Sequence, residues 1–286
     1  MKIFAFDIDG TLLTSTKEVS QSTLEVLHHI EESGDKWLLA TGRSYEMIQP
    51  ILDNIKMKCD CITNSGHLFV DKYGHDGLKF SMPNPVLYKV IEILLNYDFH
   101  ISLHSDKGKY IFGDKESYFA RHIEISKSRH KENFNKIKNA PLFVKELFLK
   151  NTHSINNINE LVKHNVHILK IDARNMEPTL LDIGMKELNK IDEIVIHSSY
   201  EAFLEISEKS SNKAIMLNHI INTYGAMKED VYVFGDSMND IELFQEFPNS
   251  IAMGNADDKI KALAKWVTDT NDNNGIAKAF QNYNLS

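Results

Sequence analysis

Residues 1–82 and 209–286 share one rhythm, in which short apolar runs alternate with segments of helical period. In the first stretch KIFAFDID, KWLLAT and CDCIT are strand-like, while SQSTLEVLHHIEESG and SYEMIQPILDNIKM place apolar residues at helical spacing. The second stretch resumes with the helix NKAIMLNHIINTYG, the strand VYVFGD, the helix MNDIELFQEF, the strand SIAMG and a closing helix around GIAKAFQNY. Strand, helix, strand in succession implies parallel strands joined by helical crossovers, which leaves few topologies open. Head and tail therefore read as parts of one α/β sheet.

Between them the texture changes after SMPNP, where two prolines punctuate the chain. The spacing predicts a helix in VLYKVIEILLNY, a hairpin from ISLHS to KYIFG, helices near 116–125 and 178–189, and strands in HILKIDA and EIVIHSS. Residues 126–165, rich in Lys, Asn and His, read as a solvated face with loops. The expected organisation is a core built from 1–82 and 209–286, interrupted by an inserted α+β domain over 83–208.

Composition narrows the partners. A formal charge of −8 over 286 residues argues against nonspecific nucleic-acid binding, which needs a basic surface. Residues 83–208 hold 17 Lys and Arg against 18 Asp and Glu, so the flanking stretches carry nearly all of the negative charge. No apolar run approaches the roughly 20 residues that span a bilayer. The start, Met1-Lys2 followed by four apolar residues and Asp7, is too short for a signal sequence. A cytoplasmic protein without membrane or nucleic-acid partners is the expectation. Cys59 and Cys61 cannot build a disulfide framework and read as buried strand thiols. No stripe marks a subunit interface.

FAFDIDGTLL sets an electrostatic problem, because a run apolar enough to be buried carries Asp7 and Asp9. In an extended strand the two point to one side, and Gly10 and Thr11 end the run, which puts both acids at the carboxyl edge of the sheet. In VYVFGDSMNDIELF a second apolar strand ends at Asp236, and Asp240 follows four residues later on the same side of a helical turn. Singly, each group has a plainer reading, a hydrogen-bonded turn for the first and a helix cap with a favourable dipole contact for the second. Together, four carboxylates at one edge call for a cation, and an all-oxygen site suits Mg2+. LLATGR brings Thr41 and Gly42 to the same edge as hydroxyl and backbone donors for an anion. Lys213, which opens NKAIMLNHI, adds positive charge at a helix start, although taken singly it reads as a solvated lysine.

These residues resemble the haloacid dehalogenase superfamily of phosphohydrolases, in its Cof-type branch (subfamily IIB). The motifs DIDGT at 7–11, TGR at 41–43, Lys213 and GDSMND at 235–240 match in order, supported by AMGNA at 252–256, VTDTNDNNGIAKAF at 267–280 and FLEI at 203–206. The resemblance implies a Rossmann-like parallel-sheet core with an inserted α+β cap of the C2 type. It also implies a Mg2+-dependent phosphatase that acts on a small phosphorylated metabolite, such as a sugar phosphate, through an aspartyl-phosphate. By position, Asp7 becomes the nucleophile and Asp9 the general acid and base. Mg2+ would be held by the Asp7 carboxylate, the Asp9 carbonyl and Asp236, with Asp240 acting behind them on Lys213 or metal-bound water. Thr41, Gly42, Lys213 and Asn239 would cradle the phosphoryl group. Two positions depart from the branch: Ser65 precedes Gly66 where Asn-Gly is usual, and Ala214 replaces the common Gly after the lysine. His67 reads as a loop residue.

A phosphomutase of the same superfamily is the nearest alternative, distinguished by needing a bisphosphate activator and releasing little phosphate. A noncatalytic phospho-ligand sensor would bind without turnover. A glycosyltransferase built on Asp-x-Asp would leave TGR and Lys213 unexplained.

Overall fold

The computed structural model describes residues 1–130, 134, 138, 143–200 and 202–285. The chain begins with β1 (Ile3–Phe6), α1 (Gln21–Glu32), β2 (Lys36–Ala40), α2 (Tyr45–Ile55) and β3 (Asp60–Thr63), then a 3-10 turn over Asn64–Gly66, β4 (Leu68–Val70) and β5 (Asp76–Lys79). There follow α3 (Asn84–Asn96), β6 (His100–Ser105), β7 (Gly108–Phe112), α4 (Lys115–His130), α5 (Lys145–Phe148), β8 (Thr152–Ile155), α6 (Asn159–Lys163), β9 (Ile168–Arg174), α7 (Pro178–Leu188), β10 (Ile194–Tyr200) and β11 (Phe203–Glu208). The last part holds α8 (Lys213–Tyr224), β12 (Val231–Gly235), α9 (Ile241–Glu246), β13 (Asn249–Ala252), α10 (Asp258–Leu263), β14 (Trp266–Val267) and α11 (Gly275–Tyr283). Two compact units result, Met1–Phe80 with Ser211–Ser286, and Ser81–Ser210.

The first unit carries an eight-stranded sheet in the order β14-β13-β12-β1-β2-β3-β4-β5. Strands β14 to β3 are parallel, and β4 and β5 turn back antiparallel at the edge. β1 lies in the interior, with Ile3 opposite both Val231 and Lys36. Its four residues are buried throughout, as expected for a parallel strand covered on both faces. Ile3, Ala5, Leu38 and Val233 pack with Met216, Leu217 and Ile221 of α8 on one face. On the other, Phe4 meets Phe280 of α11 with ring centroids 4.8 Å apart. α1 starts where the Ser20 hydroxyl accepts from the Thr23 amide at 3.3 Å.

The second unit is an α+β layer with strand order β10-β11-β9-β6-β7-β8, antiparallel except for the β7–β8 pair. One sheet face buries Ile101, Leu103, Ile171 and Ile206 against Val90 and Leu94 of α3 and Leu188 of α7. The alternate residues are polar: Lys170 stands 2.9 Å from Glu205 and 3.4 Å from Asp172, and His104 stands 3.0 Å from Asp172. No helix among the described residues is long and apolar enough to cross a membrane.

Two local expectations need correction. β1 stops at Phe6, so Asp7 and Asp9 lie in the turn that follows it rather than within the strand. Residues 126–165 are more ordered than a looped face: α4 runs to His130, and β8 pairs with β7, burying Thr152 and Ile155. Within that stretch, 131–133, 135–137 and 139–142 lie outside the described residues. His67 is a loop residue as expected, buried in the turn after β3 with Nδ1 3.0 Å from the carbonyl oxygen of Asn64.

Candidate active site

Three neighbouring parallel strands, β12, β1 and β2, end together, and the loops beyond them carry most of the motif residues. The Asp7 amide donates to the Phe234 carbonyl at 3.0 Å, so the chain stays tied to the sheet for one residue past β1. It then turns tightly, with the Leu12 amide on the Asp7 carbonyl at 3.2 Å and the Leu13 amide on that of Ile8 at 2.9 Å. Gly10 makes the turn possible. Its φ is +84°, and a Cβ there would lie 2.2 Å from Asp236 Oδ2, so only glycine fits against that carboxylate.

The acids divide into two environments. Asp7, Asp236 and Asp240 form a group whose carboxylate oxygens lie within 4.8 Å of one another. Lys213 is buried among them, correcting its reading as a solvated lysine: Nζ donates to Asp7 Oδ1 and to Asp240 Oδ1, each at 2.7 Å. Asp240 Oδ2 faces the backbone amides of Asp236 at 3.2 Å and Ser237 at 3.4 Å. Both oxygens of Asp240 are thus committed, one to the lysine and one to its own turn.

Charge balance sets the protonation. Burial pushes the Asp7 carboxyl up; Lys213 opposes and Asp240 reinforces this, and the result is about 7. Asp236 is raised to about 8, by burial first and then by Asp7 and Asp240. Burial works against the Lys213 ammonium, yet Asp240 and Asp7 outweigh it and hold the lysine charged above its ordinary range. One lysine cannot neutralise three clustered carboxylates, two of them buried, so the group lacks positive charge.

Asp9 stands apart, which corrects the expectation of four converging side chains. Arg43 grips it through two bonds, Nε to Oδ2 at 2.7 Å and Nη2 to Oδ1 at 2.8 Å, and Lys17 Nζ adds a third to Oδ1 at 2.8 Å. Burial raises its pKa, but the Arg43 and Lys17 contacts prevail and bring it down to about 2. Neither cation was singled out from sequence. Arg43 lay in plain view in TGR, whereas Lys17 carried no signal beyond being a lysine near the motif.

The remaining motif residues frame this edge. Thr41 is buried just past β2, where its Oγ1 accepts from the Arg43 amide at 3.2 Å. Gly42 lies between those two residues. Asn239 sits in the turn after β12, its Oδ1 accepting from the Ser237 hydroxyl at 2.8 Å. The loop after β3 fastens these parts together: the Asn64 amide donates to the Arg43 carbonyl at 2.9 Å and the Ser65 amide to that of Thr41 at 3.0 Å. Asn64 and Ser65 adopt φ of 48° and 58°, and Gly66 presses so close to the start of α8 that a Cβ would lie 2.4 Å from the Lys213 backbone nitrogen. The Ser211 hydroxyl closes the contact on the Gly66 carbonyl at 2.7 Å. Ser65 therefore serves here through its backbone, and Ala214 is accommodated in the core.

The donors fit a hard divalent cation. Asp236 Oδ1 is buried with no hydrogen-bond partner among the described residues, and Asp7 gives only Oδ1 to Lys213. Two oxygens are therefore left for a metal in a group short of positive charge. Asn255, missed from sequence although AMGNA contains it, steadies the arrangement by donating to the Gly10 carbonyl at 2.9 Å and to Asp236 Oδ2 at 3.3 Å.

Comparison with known proteins places this geometry. A family model described as haloacid dehalogenase-like hydrolase matches residues 4–280. The chain is 26% identical to a putative phosphatase, MG265, of Mycoplasma genitalium, over 96% of each chain. It is 24% identical to the 5-amino-6-(5-phospho-D-ribitylamino)uracil phosphatase YitU of Bacillus subtilis, over 98% of this chain and 97% of that one. The solved structure of the HAD subclass IIB sugar phosphatase BT4131 superposes with a TM-score of 0.75 at 21% identity, covering 100% of both chains, a likeness of fold.

Proposed function

The chain belongs to the haloacid dehalogenase-like hydrolases, and from that premise we propose that it is a Mg2+-dependent phosphatase working through an aspartyl-phosphate on Asp7. Phosphoric monoester hydrolysis is the activity for which its curated relatives are named. The observation that carries the reading is the Lys213 ammonium bridging Asp7 and Asp240 at 2.7 Å each, beside a third acid with an unpartnered oxygen. Three acids gathered around one lysine at the carboxyl edge of a parallel sheet support the catalytic reading.

In this reading the Asp7 carboxylate, the Asp9 carbonyl and Asp236 would hold the metal. When bound, Mg2+ supplies the positive charge that lets Asp7 and Asp236 stay ionised side by side and offsets charge on the phosphoryl oxygens. An Asp7 oxygen attacks phosphorus as the bond to the leaving oxygen breaks, and Asp9 gives that oxygen a proton. Water then attacks the aspartyl-phosphate, Asp9 takes its proton, and the Asp7 carboxylate is released with inorganic phosphate. Thr41, Gly42, Lys213 and Asn239 donate to the phosphoryl oxygens, while Asp240 orients Lys213.

Asp9 must be protonated to begin this sequence, yet Arg43 and Lys17 hold it ionised. Substrate entry therefore loosens that grip, and the anionic phosphate is the natural competitor for the two cations. The substrate we assign is a small phosphorylated metabolite of polyol or sugar character, supported by the phospho-ribityl group in the name of the Bacillus relative. The deciding experiment is hydrolysis of p-nitrophenyl phosphate with Mg2+, with EDTA, and by Asp7→Asn. Turnover that survives in the Asp7→Asn protein rules the mechanism out.

A further inference from the structure

The turn over 269–275 lies inside the motif VTDTNDNNGIAKAF, and none of the residues assigned to the reaction belongs to it. It is fastened within its own unit, with the Gly254 amide on the Asp269 carbonyl at 3.0 Å and the Gly275 amide on that of Thr270 at 3.0 Å. From there it reaches the loop after β1. The Asn271 side-chain amide donates to the Leu13 carbonyl at 2.8 Å, across 258 residues of chain, and Asp272 Oδ1 accepts from the Ser15 amide at 2.7 Å. A further contact is relayed. The Asn271 backbone amide donates to Asn255 Oδ1 at 3.0 Å, which leaves Asn255 Nδ2 as the end that meets the Gly10 carbonyl at 2.9 Å.

These contacts bracket the stretch that carries Asp9 and Lys17. Gly10 follows Asp9 directly, and Leu13 and Ser15 flank Thr14. The Thr14 amide donates to the Glu18 carbonyl and the Lys17 amide to that of Thr14, each at 2.9 Å, closing a turn in which Lys17 has a φ of 65°. From this turn Lys17 Nζ meets Asp9 Oδ1 at 2.8 Å. Leu12 and Leu13 are buried, whereas Ser15, Thr16, Lys17 and Glu18 are all exposed, so packing alone does not fix the turn that aims the lysine. A carboxylate accepting from a backbone amide makes one of the stronger hydrogen bonds, and Asp272 directs it to Ser15.

We propose that Asn271 and Asp272 are positioning residues, which hold the loop after β1 so that Asp9 is aimed at the leaving oxygen. The inference rests on the phosphatase reading, in which Asp9 gives that oxygen its proton. Misplacement should show as a selective loss, because phenoxide is a more basic leaving group than p-nitrophenoxide and depends more on that proton. Asp272→Ala and Asn271→Ala should each lower kcat/KM, which reports the first phosphoryl transfer, by about tenfold or more for phenyl phosphate and by less than about threefold for p-nitrophenyl phosphate. Asp272→Asn keeps an oxygen acceptor and should restore the parent ratio. Hydrogen exchange of the Ser15 amide, followed by NMR, checks the contact without turnover: it should quicken in Asp272→Ala and stay slow in Asp272→Asn. Equal losses on both esters, a parent-like ratio in both alanine variants, or a Ser15 amide that exchanges as freely in the parent as in Asp272→Ala overturns the inference. A parent that hydrolyses neither ester with Mg2+ sinks the phosphatase reading itself, and the inference with it.

Discussion

Lys213 Nζ lies 2.7 Å from Asp7 Oδ1, across 206 residues of chain, with side-chain exposures of 1% and 5%. Asp240 makes the same bond from the other side. A lysine so placed is the countercharge on which the neighbouring acids depend.

Lys213→Met should therefore cost about 3–5 kcal/mol at neutral pH, the range for breaking a buried pair and leaving its partner charged. Urea unfolding measures the loss, and hydrolysis of p-nitrophenyl phosphate should fall to background. A variant as stable as the parent would mean that Asp7 and Asp240 do not need this charge.

The metal-free protein should lose stability as pH rises. Asp7 and Asp236 have folded pKa values of about 7 and 8 against an ordinary 3.8, so the folded chain keeps protons that the unfolded chain has released. The folded state binds more protons, and the free energy of unfolding falls from about pH 4 to about pH 8. Asp9, lowered to about 2, contributes stability that is lost only as pH drops below 3.8, outside this window. Mg2+ favours the ionised acids, so the rise in Tm it produces should be larger at about pH 8 than at about pH 5.5. Thermal scans with Mg2+ and with EDTA test this; a larger metal effect at the acidic end would contradict it.

Gly10→Ala places a methyl against Asp236 at a backbone angle that L residues rarely adopt. We expect about 1–3 kcal/mol of strain and Mg2+ binding weakened on the order of 10–100-fold as Asp236 is displaced. Calorimetric titration with Mg2+ gives the answer directly, and unaltered affinity would place the metal away from Asp236.

Asp9→Asn should slow alkyl phosphates more than p-nitrophenyl phosphate, whose leaving group needs little proton assistance. A loss of roughly 100-fold or more for an alkyl ester is expected from general acid catalysis. Equal losses on both esters would assign Asp9 to positioning alone.

Much of the architecture was legible from local pattern. The apolar runs at Ile3, Trp37 and Val231 became parallel neighbours because nothing but a covered sheet accommodates them. β8 escaped notice, since its THSI alternates weakly and owes its place to β7. β4 and β5 were equally faint, two short strands at an edge with DGLK exposed throughout. In the site, the acids and Lys213 announced themselves by position in motifs. What Arg43 and Lys17 do to Asp9 did not, because it depends on side chains meeting from 34 and 8 residues away. The burial of Lys213 was hidden for a similar reason: a lysine that opens a helix looks solvated until Asp7 and Asp240, 206 and 27 residues away, meet its ammonium.

The placement of β1 has a consequence for synthesis. Its partner on one side, β2, follows within 40 residues of the start, whereas the other, β12, begins only at Val231. A ribosome must therefore deliver most of the polypeptide before the central strand acquires its second neighbour. The intervening unit, contiguous in the chain, holds every strand of its own sheet by Glu208 and can mature first. Until then the N–H and C=O groups along one side of an apolar strand stay unpaired in the nascent protein, an edge on which another chain could add a strand.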